Sequence, residues 1–81
     1  MEKRIALIGI IVENLDSAKE VNDILHQYSE YIVGRMGLPH KEKDISIISI
    51  IMDADNDIIR SVSGKIGMIT EVSCKTIYAT K

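Results

Sequence analysis

"ISIISIIM", residues 45–52, holds five isoleucines and two serines in eight positions. A run this short and this β-branched reads as a strand, because branched side chains pack well on a pleated surface and lose χ1 freedom in a helix. It does not alternate cleanly. Ile45, Ile47, Ser49 and Ile51 fall on one side, and Ser46, Ile48, Ile50 and Met52 on the other. A strand with apolar residues on both sides belongs in the middle of a sheet with cover on both faces.

The rest of the chain supplies the other strands. "RIALIGIIV" (4–12) has the same two-sided character, with Ile5, Leu7, Gly9 and Ile11 against Ala6, Ile8, Ile10 and Val12. Residues 15–31, "LDSAKEVNDILHQYSEY", switch to helical spacing, with Ala18, Val21, Leu25 and Tyr28 on one stripe and Ile24 beside it. Asp16 is the expected N-cap, with a Ser17–Glu20 capping box as the other register. "EYIVGRMG" (30–37) reads as a strand that Pro39 stops, leaving a glycine-bounded loop and a solvated turn "HKEKD". "DADND" (53–57) looks calcium-like but lacks the glycine and downstream glutamate of a calcium loop, so Asp53, Asp55 and Asp57 are expected to cap the next helix. That helix, about 56–67, carries Ile58, Ile59, Val62 and Ile66, "SGKIG" is its fraying end, and "EVSCKTIYA" (71–79) is the last strand.

The order β-α-β-β-α-β predicts an α+β, ferredoxin-like two-layer sandwich with an antiparallel sheet ordered 4-1-3-2. All of 1–81 is then one domain, near the lower size limit for a self-sufficient core. Helices cover one face of such a sheet, yet both faces of its central strands are greasy. Ile5, Leu7, Ile8, Ile10, Ile45, Ile47, Ile48, Ile50 and Ile51 are therefore the candidates for an interface, whichever side the helices take. A homo-oligomer, dimer or tetramer, packed through sheets is the expectation.

Composition narrows the function. With 46% hydrophobic residues and a formal charge of −2, nothing points to a nucleic-acid or membrane surface. The apolar run after Lys3 and Arg4 mimics a leader but turns acidic at once and is far shorter than a membrane span. One cysteine permits no internal disulfide, which favours a reducing cytoplasm. The central strands offer no aromatic residue for stacking RNA bases, and no nucleophile–base pair is visible, so no enzyme is expected. His26, His40 and Cys74 are the soft ligand types; none has chelating spacing, and no metal or cofactor is expected within one chain. Met36, Met52 and Met68 read as gap-fillers.

"GRMGLPH" (34–40) is the remaining motif. Gly34, Arg35, Met36, Gly37 and His40 are candidate ligand-binding residues, because missing side chains let an anion approach the backbone beside a guanidinium. The plainer alternative is an edge-strand bulge guarded by Arg35.

"ALIGIIVEN", "VNDIL", "YIVGRMGLPHKEKDISIISIIMDADNDII" and "SGKIG" together resemble the family of iron-only hydrogenase system regulators, and GRMG-x-P is the most specific block. The resemblance implies an ACT-like small protein, related in fold to the sensor domain of nickel-responsive repressors, whose members self-associate and bind effectors at or near subunit interfaces. Their histidine and cysteine spacing is missing here, so their metal site is not carried over. The last turn also departs: in "MITEVSCK" Glu71 stands where the family has a turn glycine and Cys74 where it has a valine, which leaves that turn's geometry open. No element remains for a DNA-reading helix-turn-helix. The expectation is a sensing module acting on a protein client through a small-molecule effector, the alternative being a purely structural assembly module with no effector.

Overall fold

Residues 2–80 are described by a computed structural model. The chain runs β1 (Lys3–Val12), α1 (Leu15–Gln27), a 3-10 turn (Ser29–Tyr31), β2 (Ile32–His40), a second 3-10 turn (Lys41–Lys43), β3 (Ile45–Asp55), α2 (Asn56–Gly67) and β4 (Val72–Tyr78). The sheet order is β2-β3-β1-β4 and every neighbouring pair is antiparallel. That is the expected ferredoxin-like topology, read from the other edge.

β1 and β3 pair along their full length, from Lys3 opposite Asp55 to Val12 opposite Ser46. Residues opposite each other in a ladder share a face, so one register decides both strands at once. Ala6, Ile8, Ile10 and Val12 join Ile48, Ile50, Met52 and Ala54 under the helices, where Val21 and Leu25 of α1 and Ile59, Val62 and Ile66 of α2 close the core. Both helices lie on this one face.

Local chemistry departs from the sequence expectation at four places. Asn14 caps α1, its side chain accepting from the backbone N–H of Asp16 at 2.9 Å. Asp16 therefore sits inside the first turn. Ser17 makes no capping box: it is buried and its hydroxyl donates to the Thr70 carbonyl at 2.8 Å, pinning α1 to the loop before β4. α1 ends at Gln27, and the 3-10 turn over 29–31 delays β2 to Ile32. Finally, Pro39 does not stop β2, which continues to His40. Proline lacks only an N–H, and an edge strand needs hydrogen bonds along one side alone. The reversal comes later, at Asp44, which adopts the left-handed conformation at φ 54°.

The acidic stretch behaves as expected at its centre. Asp55 is the N-cap of α2, its carboxylate accepting from the Ile58 N–H at 3.0 Å. Among the described methionines Met52 fills the core, whereas Met36 and Met68 are exposed.

Glu71 resolves the atypical last turn. It adopts φ 60°, the conformation glycine takes without penalty. Its carbonyl accepts from the Glu13 N–H at 2.9 Å and its carboxylate accepts from the Asn14 amide at 3.2 Å, so the turn and the α1 cap are tied together. A left-handed non-glycine residue costs roughly 1–2 kcal/mol, more than an exposed side-chain hydrogen bond returns. Glu71→Gly is expected to stabilise the fold by about 0.5–1 kcal/mol, a rise of several degrees in thermal midpoint. Glu71→Ala, which keeps the strain and loses the hydrogen bond, should lower it.

Candidate functional site

The face of the sheet opposite the helices is the unusual surface. Ile5, Leu7 and Ile11 of β1 and Ile47 and Ile51 of β3 point out of it, each 37–43% exposed. The register adds Met36 and Leu38 of β2, opposite Ser49 and Ile47, and Ile77 of β4, opposite Leu7. These three flanking side chains are 58–66% exposed. The result is an apolar surface that reaches all four strands, crossed near its middle by the row Ser49, Gly9 and Lys75.

The helix layer divides the predicted interface residues. Ile8, Ile10, Ile48 and Ile50 are at most 3% exposed and pack against α1 and α2, so no partner can reach them. Ile5, Leu7, Ile47 and Ile51 lie on the open face, with half-buried Ile45 at its end beside His40. Ile11, Met36, Leu38 and Ile77 were not anticipated as members. Strand parity carries Ile11, and the Ser73–Lys75–Ile77 alternation of β4 was the available signal for Ile77.

The open face is not flat. Gly9 leaves a hollow of about 300 Å³ rimmed by Ile11, Ile47, Ser49, Ser73 and Lys75. A Cβ placed on Gly9 would meet nothing within 4 Å. A second hollow of about 430 Å³ lies between Leu7, Gly34, Met36, Ser49 and Ile51.

GRMGLPH is strand, not loop, and its candidate residues do not form one site. Arg35 pairs with Ile50 and Gly37 with Ile48, placing both on the helix side; Gly34, Met36 and His40 belong to the open side. The expected bulge is present one step earlier: the ladder passes from Ile32–Met52 to Gly34–Ile51, leaving Val33 as the extra residue. Arg35 donates to Asn22 Oδ1 of α1. Together with Leu25, His26, Ser29 and Ile32 these two residues line a groove of about 680 Å³ between α1 and β2. His26, off the apolar stripe of its helix, is exposed there. Sequence alone gave no reason to place it beside Arg35.

Cys74 lies on the helix side of β4, opposite Ile10, and its thiol donates to the Ser63 carbonyl at 3.4 Å. Burial pushes its pKa above the usual 9.0, away from nucleophilic thiolate. The Tyr31 hydroxyl is likewise raised, first by the neighbouring Glu30 carboxylate and then by desolvation. Among the described residues no three His, Cys, Asp or Glu side chains converge as a metal site, and no helix is long and apolar enough to cross a membrane.

Comparison with solved structures places this architecture. The uncharacterized protein TM1266 from Thermotoga maritima superimposes with a TM-score of 0.93 at 38% identity, covering 98% of this chain and 100% of that one. The divalent ion tolerance protein CutA1 from Ehrlichia chaffeensis is similar at TM-score 0.53 and 21% identity, covering 100% of this chain and 86% of that one. A formyltetrahydrofolate deformylase from Pseudomonas syringae pv. tomato matches at TM-score 0.63 and 8% identity, covering 100% of this chain but 29% of the enzyme. The last two share the fold alone. No curated protein matches the chain. The TM1266-like family model, "Iron-only hydrogenase system regulator, putative", matches residues 4–76, and with the structural agreement over the full length of TM1266 it follows that this chain belongs to that family.

Proposed function

We propose that this protein is a small non-catalytic regulatory module that pairs with a second copy through the open face of its sheet and responds to a small effector bound near Arg35. The observation that carries the pairing is the apolar surface formed by Ile5, Leu7, Ile11, Ile47 and Ile51 with Met36, Leu38 and Ile77. Covering what remains exposed of these side chains on two copies is worth on the order of 12–23 kcal/mol at 1.5–3 kcal/mol per fully buried residue. The entropic cost of association, about 4–15 kcal/mol, is of the same order. An isologous pair puts the hollows at Gly9 and Gly34 of both copies within the shared surface, open to side chains of the facing copy.

The regulatory reading rests on the family and on the shape of the fold. Both described helices cover the sheet, and on this reading the module acts through a client protein. An effector shifts the balance between assembled and free forms only by binding one of them more tightly.

Sedimentation equilibrium tests the pairing. A particle at least twice the 9.0 kDa chain mass at micromolar concentration is expected; a folded monomer overturns it. Gly9→Val sharpens the test. Its side chain enters open space, and replacing a mid-strand glycine should stabilise the free chain by about 0.5–1 kcal/mol. The same side chain fills the hollow, so association is expected to weaken at least about tenfold, or about 1.4 kcal/mol. A variant more heat-resistant in dilute solution yet less associated is the predicted signature.

A further inference from the structure

The geometry points to the groove between α1 and β2 as a binding site for a small molecule bearing an oxyanion, phosphate or carboxylate, held by Arg35 with Asn22, His26 and Ser29. This deepens the effector part of the proposed function and moves the site from the glycine motif to the helix side of the edge strand.

Beneath the helices the sheet is apolar from Ala6 to Val12 on β1 and from Ile48 to Ala54 on β3, and beside that stretch β2 places an arginine, opposite fully buried Ile50. The side chain escapes over the sheet edge and lies along the flank of α1. Its hydrogen-bond partner among the described residues is the neutral amide of Asn22, not a carboxylate. A guanidinium carries five N–H donors in a rigid fork. One engaged with Asn22 Oδ1 fixes the plane and leaves the others for a planar or tetrahedral anion.

The other polar groups lining the groove can all donate. Asn22 turns its oxygen to Arg35 and so keeps its amide N–H groups; the His26 imidazole has an N–H in either neutral tautomer; Ser29 has a hydroxyl. None of the six lining residues is acidic. Lys19 lies one turn before Asn22 on the same helix flank, where Asp23 offsets part of its charge. Glu30, next to Ser29 in the chain, is outside that lining and acts on the neighbouring Tyr31 hydroxyl, whose pKa it raises. Leu25 and Ile32 give an apolar wall for the rest of the ligand, and about 680 Å³ suits a metabolite-sized molecule.

The position also explains how binding reaches the docking face. Arg35 sits between Gly34 and Met36, which line the hollow of about 430 Å³ on the open side. A ligand that fixes Arg35 orders the one edge-strand segment shared by groove and interface.

Amide-resolved NMR titration of the full chain tests this, with sodium phosphate in one arm, sodium succinate in another, and chloride at matched ionic strength as control. Saturable shifts clustered at Asn22, His26, Ser29 and Arg35 are expected in at least one oxyanion arm, and which arm responds assigns phosphate or carboxylate. Arg35→Met should weaken binding at least tenfold, and Arg35→Lys, which keeps the charge and loses the fork, should fall between. Non-saturating shifts equal to those in chloride, or unchanged binding by folded Arg35→Met, overturn the site. Sedimentation of the same samples separates the two ideas. Oxyanion binding by a chain that never associates rejects the pairing alone; association with no oxyanion binding rejects the groove alone.

Discussion

Leu7→Glu is expected to separate the proposed pair into folded monomers, raising its dissociation constant by about a thousandfold or more. Leu7 lies near the centre of the open face, on β1 between Ile51 of β3 and Ile77 of β4, and borders the hollow beside Gly34. In the free chain its side chain is 40% exposed, so a glutamate there can extend into water. The free chain loses part of an apolar contact and some strand propensity, about 1 kcal/mol. In an isologous pair the substitution occurs twice, and each carboxylate must be desolvated with no acid-binding partner near it except Lys75. Burying an unpaired charge costs several kcal/mol, and about 4 kcal/mol is a thousandfold. Sedimentation velocity reads the association, and far-UV circular dichroism in the same buffer reads the fold. If Leu7→Glu stays assembled, the open face is not where copies meet. Leu7→Thr, close in shape to a branched aliphatic and uncharged, should give an intermediate loss.

The two-sidedness of the central strands was legible in the sequence, but the side taken by the helices was not. Ile48 and Ile50 are as apolar as Ile47 and Ile51, so parity alone leaves two equivalent answers. The choice is made by where the crossover connections deliver α1 and α2, a tertiary property. Pro39 misled for a related reason: an edge strand tolerates a proline whose nitrogen faces its unpaired side, and β2 has one free edge. The Arg35–His26 neighbourhood was hidden because it depends on which flank of α1 overhangs β2, and neither residue carries that in its local pattern. Glu71 was the opposite case. Its departure from a turn glycine was visible in the sequence, and the positive φ supplies the physical meaning. At the start of α1, Asn14, Asp16 and Ser17 are all good caps. Ser17 is itself buried and bonds the Thr70 carbonyl, which leaves the cap to Asn14.

Ile50→Ala and Ile51→Ala should separate stability from assembly within two consecutive residues. They share side chain, strand and β-propensity, and differ in face. Ile50 is fully buried between Ile8 on β1 and the α-helical layer, so truncation removes apolar contacts and leaves a cavity, for about 2–5 kcal/mol. An 81-residue chain has a total stability of roughly 4–12 kcal/mol, so this is a large share. The thermal midpoint should drop by roughly 8–40 °C at 4–8 °C per kcal/mol, even in dilute solution. Ile51, 40% exposed, gives up far less in the free chain, on the order of 1 kcal/mol. Its loss appears instead in assembly: the concentration-dependent part of the midpoint shrinks, because whatever binds only the folded form stabilises it by mass action. Melting each variant across a hundredfold range of concentration reads both quantities from one data set. Ile50→Ala should shift the whole curve down with its slope against log concentration retained, and Ile51→Ala should flatten the slope. Identical behaviour of the two would mean that the faces of β3 are equivalent in solution, contrary to the register that seats Ile50 beneath the helices and leaves Ile51 outside.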